Sequence, residues 1–187
     1  MAGNALRKRK IAVLGSRSVG KSSLVIQYVE DHFVESYYPT IESTFTKTIN
    51  YNGVEFDCDI VDTAGQDEYS ILNQKHAIGI HGFVLVYSVA SRNSFEMVQI
   101  IHDKIVTFTG NQSLPCVIVG SKSDLPQRQV QQREAEEFAK SINASWVETS
   151  AKNNVNIGKA FELVLGEIEK RSPHNQNQPA ARQCLIM

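Results

Sequence analysis

Ile11-Ala12-Val13-Leu14-Gly15-Ser16-Arg17-Ser18-Val19-Gly20-Lys21-Ser22-Ser23-Leu24-Val25 is the stretch that decides the fold. Its first four residues form a continuous apolar run, the pattern of a parallel strand covered on both faces. Gly15 to Ser22 fits G-x-x-x-x-G-K-[ST]. Leu24, Val25, Tyr28 and Val29 then follow with helical spacing. The glycines let backbone N–H groups turn inward around phosphate oxygens, and the helix N-terminus behind them favours an anion. In such a loop Lys21 reaches the β and γ phosphates and the Ser22 hydroxyl binds Mg²⁺. A chance match would lack the strand before it and the helix after it.

The alternation continues along the chain. Phe83-Val84-Leu85-Val86-Tyr87 and Cys116-Val117-Ile118-Val119 are further apolar runs, and Trp146-Val147 centres a shorter one. Residues 44–51 and 54–61 read as two strands joined at Asn52-Gly53, the strongest short hairpin signal. Amphipathic stretches fill the intervals. In the last, Ile157, Ala160, Phe161, Val164, Leu165 and Ile168 make one apolar stripe, with Asn153 or Asn154 as its candidate cap. The pattern predicts an α/β fold: a doubly wound, mostly parallel six-stranded sheet with one antiparallel edge hairpin. The expected organisation is an N-terminal extension over 1–8, one nucleotide-binding domain over 9–171, and a disordered tail over 172–187. In the tail Pro, Asn, Gln and Ala replace the periodic pattern.

Composition agrees with one soluble domain. At ~150 residues per domain, 187 residues make one domain and a tail. Nineteen basic and twenty acidic residues leave a formal net charge of −1, which argues against a nucleic acid polymer as the main partner. Cys58, Cys116 and Cys184 form no disulfide framework and have no metal-ligand spacing, so the chain reads as intracellular. Arg7-Lys8-Arg9-Lys10 before the apolar run imitates a signal peptide, but the run is too short and Arg17 and Lys21 follow it. No stretch approaches the ~20 apolar residues of a membrane span. Ala2 excludes N-myristoylation.

Three more segments carry chemistry, each at the end of an expected strand. Asp62-Thr63-Ala64-Gly65-Gln66 offers a carboxylate for Mg²⁺, a glycine whose N–H can approach a γ-phosphate, and an amide suited to orienting an attacking water. Ser121-Lys122-Ser123-Asp124 offers a carboxylate that accepts from the ring N–H and exocyclic amine of guanine, which adenine lacks on that edge. The Lys122 stem can lie on a base face. Ser150-Ala151-Lys152 offers backbone N–H groups to the base oxygen. Read singly, the last two look like ordinary charged turns. Together they match the parts of one ligand, and open α/β sheets bind ligands at the carboxyl ends of their strands.

On these residues the chain resembles the Ras superfamily of small GTPases, P-loop NTPases with a Ras-like G domain, over residues 9–170. Within the superfamily it is similar to the Rheb branch. That similarity is carried by Arg17-Ser18-Val19-Gly20-Lys21-Ser22-Ser23, Tyr37-Tyr38-Pro39-Thr40-Ile41-Glu42, Thr44-Phe45-Thr46-Lys47 and Asp62-Thr63-Ala64-Gly65-Gln66-Asp67-Glu68-Tyr69-Ser70-Ile71. The resemblance implies a switch cycling between GTP and GDP. Ser16, Arg17, Ser18, Val19, Gly20, Lys21, Ser22 and Ser23 would hold phosphates. Phe33, Val34, Tyr37, Pro39, Thr40, Gly65, Ser121, Lys122, Asp124, Leu125, Ser150, Ala151 and Lys152 would complete the nucleotide site. Ser22, Thr40 and Asp62 would hold Mg²⁺, Thr40 in the GTP state only. Gln66, Gly65, Lys21 and Tyr37 would govern hydrolysis, which Arg17 at the lip of the loop and Tyr37 over the γ-phosphate are expected to keep slow. Residues 38–46 (Tyr38, Pro39, Thr40, Ile41, Glu42, Ser43, Thr44, Phe45 and Thr46) become the effector-reading switch I, and 64–80 become switch II. The implied partners are the TOR kinase complex as effector and a tuberin-type activating protein that inserts an Asn rather than an Arg.

One base-reading position departs from the family: Ser121 stands where Asn is nearly invariant. The Asn amide ties the base-binding strand end to the phosphate loop. Serine is shorter, so the expectation is a weakened tie and faster nucleotide loss. The chain ends Cys184-Leu185-Ile186-Met187, a C-a-a-X pattern whose final Met predicts farnesylation by farnesyltransferase. Only Arg182 is basic in the ten residues before Cys184, and one lipid without a polybasic patch binds membranes weakly and reversibly. The expected location is therefore cytosol and the cytosolic face of endomembranes. Trp146, Phe161, Cys58 and Cys116 read as core residues, the five histidines lack ligand spacing, and Glu134, Glu136, Glu137 and Lys140 read as a solvated helix face. A small P-loop kinase would need a lid and a second pocket, for which no segment is left. A GTP-binding scaffold that scarcely hydrolyses is the other competitor.

Overall fold

The computed structural model describes residues 7–35, 39–66 and 79–172. Six strands form one sheet in the order β2-β3-β1-β4-β5-β6. They are β1 (Arg7–Gly15), β2 (Ser43–Tyr51), β3 (Val54–Asp62), β4 (Gly82–Ser88), β5 (Cys116–Ser121) and β6 (Ser145–Glu148). The β2–β3 pair is antiparallel and all other pairs are parallel. Asn52 and Gly53 take φ of 52° and 78°, so the hairpin turns through two left-handed residues as an Asn-Gly pair permits. The described helices are α1 (Lys21–Glu30), α2 (Arg92–Thr109), α3 (Gln132–Ser141) and α4 (Ile157–Arg171). None of them is long and apolar enough to cross a membrane.

The continuous apolar runs are explained by two cores. In β1, Ile11 and Val13 face one side and pack with Leu24 and Val25 of α1 and with the α4 stripe. Ala12 and Leu14 face the other side, among Phe95, Val98, Ile101 and Ile105 of α2 and Ala135 and Ala139 of α3. Each strand residue alternates faces, so a strand covered on both sides has no polar position left. Phe161 is fully buried and its ring stacks on Tyr28 at 4.0 Å between centroids. Trp146 is only half-buried and donates to the Tyr87 hydroxyl at 3.2 Å. Cys58 and Cys116 are buried, and burial pushes both thiols up to about 12, which leaves them unreactive thiols.

Two expectations are corrected. β1 begins at Arg7, two residues inside the expected extension, because Arg7 and Lys8 continue the ladder with β3 opposite Phe56 and Asp57, next to a firmly held Arg9. Its guanidinium lies over the Phe56 ring and holds Glu169 of α4 at 2.7 Å. Neither Asn153 nor Asn154 caps α4. Ser150 and Val155 exchange backbone hydrogen bonds, which closes a loop through residue 155 and moves the cap to Asn156. Asn156 makes no side-chain cap bond. Its Nδ2 donates instead to the Glu148 carbonyl at 2.9 Å.

Gly82 marks where α4 crosses β4. A Cβ built there would lie 2.7 Å from Ile168 Cδ1 and 2.9 Å from Val164 Cγ2. Gly82→Ala should therefore overpack this crossing and cost about 1–3 kcal/mol. The measurement is guanidinium unfolding of GDP-loaded protein, and the expected result is a lower midpoint with an unchanged slope. An unchanged midpoint would show that α4 gives way freely.

Candidate nucleotide-binding site

The carboxyl ends of the strands open into one cavity of about 900 Å³. The loop after β1 lines it with Arg17, Ser18, Gly20, Lys21, Ser22 and Ser23. Phe33, Val34, Pro39 and Thr40 come from the segment after α1, Asp62 and Gly65 from the end of β3, and Ser121, Lys122, Asp124 and Leu125 from the end of β5. Ala151 and Lys152 follow β6. Five segments scattered between residues 17 and 152 thus meet in one place. Ser16, Val19 and Ser150 stand just behind the wall, and each bonds a residue in it. Tyr37, Tyr38, residues 67–78 and the tail with Cys184 lie outside the described residues.

The loop after β1 is shaped by close approach. Gly15 has φ of 151°, and a Cβ there would lie 2.2 Å from the Val86 carbonyl oxygen, so no other residue fits. Ser18 and Gly20 also have positive φ, at 60° and 98°. Lys21 is 5% exposed, and its Nζ donates to the carbonyls of Gly15 at 3.0 Å and Ser16 at 2.8 Å. Burial lowers the Lys21 ammonium to about 8, against the opposing pull of the Asp62 charge. A buried cation at a helix N-terminus, facing an open cavity, suits a polyphosphate.

Beside it stand three oxygen donors. Ser22 Oγ and Thr40 Oγ1 are 2.7 Å apart. Asp62 is 2% exposed, and its buried Oδ1 has no hydrogen-bond partner. Burial pushes the Asp62 carboxyl up, partly offset by a hydrogen bond from Ser22 and by the Lys21 charge. Among the described residues no group of three His, Cys, Asp or Glu could hold a metal ion. An orphaned buried carboxylate oxygen with two hydroxyls fits a hard cation that keeps several other oxygen ligands, as Mg²⁺ does.

Gly65 meets a different neighbour from the one expected. A Cβ there would lie 2.3 Å from Arg17 Cγ and 2.5 Å from Arg17 Cα, so its bareness admits the Arg17 chain. Gln66 does not line the cavity. Its backbone N–H donates to the Gly15 carbonyl at 3.0 Å, and its Nε2 is turned back to the Ala64 carbonyl at 3.2 Å.

At the other end, Asp124 is exposed and Ser150 Oγ donates to its Oδ1 at 2.6 Å. Lys122 takes φ of 59° and its Nζ reaches back to the Ser18 carbonyl at 2.7 Å. Ser121, although shorter than an Asn, does reach the phosphate loop. Its buried Oγ is in hydrogen-bond contact with the Val19 carbonyl and lies 2.8 Å from the Tyr87 carbonyl. The carboxyl ends of β5 and β1 are close enough that a short side chain suffices. One hydroxyl carries one proton, however, so it serves one of the two carbonyls at a time. Sequence reasoning missed Glu35, which lines the cavity and pairs with Lys152 at 3.9 Å. Glu35 stands in no motif that would have marked it.

In the effector segment, Pro39, Ile41, Glu42, Ser43, Thr44 and Thr46 are exposed, while Thr40 and Phe45 are half-buried and turned to the cavity. Ile41 is 87% exposed, the largest exposure among the large hydrophobic residues described.

Comparison with known proteins agrees with this geometry. Residues 10–170 match the Ras family. The chain is 58% identical over 183 residues to the GTP-binding protein rhb1 of Schizosaccharomyces pombe, covering 97% of this chain and 98% of that one. It is 56% identical over 186 residues to the small monomeric GTPase RhbA of Aspergillus fumigatus, covering 98% of each. Against the GTP-binding protein Rheb of Homo sapiens it is 50% identical over 165 residues, 88% of this chain and 90% of that one. With a P-loop NTPase fold and these relatives, the chain belongs to the Ras family, as a Rheb-like GTP-binding switch that hydrolyses GTP.

Proposed function

We propose that the chain is a growth-controlling switch whose GTP state presents residues 38–46 to the TOR kinase complex and whose GTP is removed with the help of a tuberin-type activating protein. The observation that carries this reading is the contact between Ser22 and Thr40 above the orphaned Asp62 oxygen. It joins the phosphate loop to a segment in which Pro39, Ile41, Glu42, Ser43, Thr44 and Thr46 are exposed to solvent. Thr40 and Ile41 both line the cavity, Thr40 through its contact with Ser22 and Ile41 with 87% of its surface still exposed.

In this reading Ser22, Thr40 and Asp62 hold Mg²⁺, which when bound neutralises charge on the β and γ phosphates. Lys21 holds the same phosphates, and their charge raises its ammonium again. Gln66 must leave the Ala64 carbonyl before its amide can orient a water, and Arg17 lies against Gly65 where an activating side chain would enter. Both observations support slow intrinsic hydrolysis. Asp124 accepts from both donors of the guanine edge, with Ser150 holding its carboxylate and Phe33, Lys122 and Leu125 around the ring. Farnesylation of Cys184 would place the switch on the cytosolic face of endomembranes, reversibly, because little positive charge accompanies the single lipid.

Asp124→Asn should exchange an acceptor for a donor and turn the preference from GTP towards xanthosine triphosphate. Competition binding of GTP, ATP and XTP tests this, and an unchanged preference would remove Asp124 from the base site. Cys184→Ser should leave the protein wholly in the soluble fraction of lysed cells. Pelleting with membranes as before would assign localisation to another part of the chain.

A further inference from the structure

The loop that carries Asp124 and the loop that carries Ser150 are tied together by side chains at two places. The tie facing the cavity is the Ser150–Asp124 hydrogen bond. The second lies behind it, and no atom of it lines the cavity. Arg128 reaches across to Glu148, the last residue of β6, with Nη1 at 2.6 Å from Oε1 and Nη2 at 2.9 Å from Oε2. Parallel bonds of this kind fix direction as well as distance. Nη1 also donates to the Val130 carbonyl at 3.0 Å, and Gln132 Nε2 to Glu148 Oε2 at 3.0 Å. Glu148 is 9% exposed. Gly120 gives it room, since a Cβ there would lie 3.2 Å from Glu148 Cγ and 2.6 Å from the Tyr87 hydroxyl. The Asn156 side chain pins the Glu148 carbonyl, and the two loops share a backbone bond from Ser123 N–H to the Thr149 carbonyl at 3.1 Å.

We propose that Arg128 and Glu148 are positioning residues for base recognition: their paired bonds behind the pocket hold Asp124 against Ser150 and so set how long a guanine nucleotide stays bound. This rests on the reading of Asp124 as the base acceptor. The loop from Lys122 to Val130 is otherwise anchored at its ends, by β5 on one side and by the Gln129 and Val130 N–H groups on the Val89 carbonyl on the other. Between them Asp124 is exposed, and across to the β6 side it is held by Ser150 and, one residue before it, by the Ser123–Thr149 backbone bond; the rear tie adds the fixed spacing of the two loops. Burial pushes the Glu148 carboxyl up, but the bonds from Arg128 and Gln132 outweigh this and hold it below the usual range. It is therefore an anion at neutral pH, and Arg128 cannot be replaced by a neutral side chain without freeing it.

The experiment measures release of fluorescent GDP from the full chain, single-turnover hydrolysis of GTP already bound, and the affinity ratio of GDP to inosine diphosphate, which lacks the exocyclic amine. Arg128→Met should release GDP about tenfold faster, the effect of about one charge-assisted hydrogen bond. It should narrow the GDP-to-inosine ratio and leave hydrolysis of bound GTP unchanged. Arg128→Lys, which keeps the charge but not the fork, should recover only part of the retention. Release within twofold of the parent, an unchanged ratio, or a matching loss of hydrolysis would each overturn the proposal. If the single variants do not fold, Arg128→Met with Glu148→Met removes both charges together and is judged by the same readings. Asp124→Asn measured alongside separates the two failures: if it keeps its preference for GDP over the xanthosine nucleotide, the base-site reading falls first. If it loses that preference while Arg128→Met retains GDP normally, the clamp alone is wrong.

Discussion

The Lys21 ammonium, buried at the carboxyl end of β1, is the charge around which the site is arranged. An ammonium taken out of water must find partners or lose its proton. Here the partners are the Gly15 and Ser16 carbonyls, and they point inward only because Gly15 lies flat against Val86 of the neighbouring strand. That close approach requires β1 to sit between β3 and β4, which in turn brings the Asp62 carboxylate to the same point. Burial lowers the ammonium to about 8, and the nearby Asp62 charge offsets this only in part. The fold has thus built a cation that a phosphate chain completes.

The two ends of the pocket are not independent. Ser121 and Lys122 leave β5 and bond the Val19 and Ser18 carbonyls of the phosphate loop. The end of β5 and the loop that holds phosphate are thus joined directly, at Ser121 and Lys122. On the opposite side Thr40 meets Ser22, so the exposed effector segment is joined to the same loop. Base, phosphate and effector surface share one short stretch of backbone, residues 18–22. A serine in place of an amide at 121 keeps the connection with one proton where an amide would offer two.

Much of this was legible because its signals are local. Apolar runs marked the strands, Asn52-Gly53 marked the hairpin, and the stripe from Ile157 to Ile168 marked α4. The motifs placed most of the cavity's lining before any geometry was known. What stayed hidden depends on tertiary distance. The charged start of β1 does not look like a strand, because its Arg9 is stabilised by Glu169 and Phe56, 160 and 47 positions away. The reach of Ser121 depends on how closely β5 and β1 end together, and side-chain length alone misjudged it. The sequence marks Asn153 or Asn154 as the cap of α4, and only the Ser150–Val155 bonds, which close the loop through residue 155, move it to Asn156. The Arg128–Glu148 pair spans 20 positions with no periodicity to announce it.

Single-turnover assays with GTP and with ATP, on protein stripped of nucleotide and supplied with Mg²⁺, test the central claim most directly. The account predicts that GTP is retained and slowly converted to GDP, while ATP neither stays bound nor turns over. Retention and hydrolysis of ATP at rates matching those of GTP would contradict it.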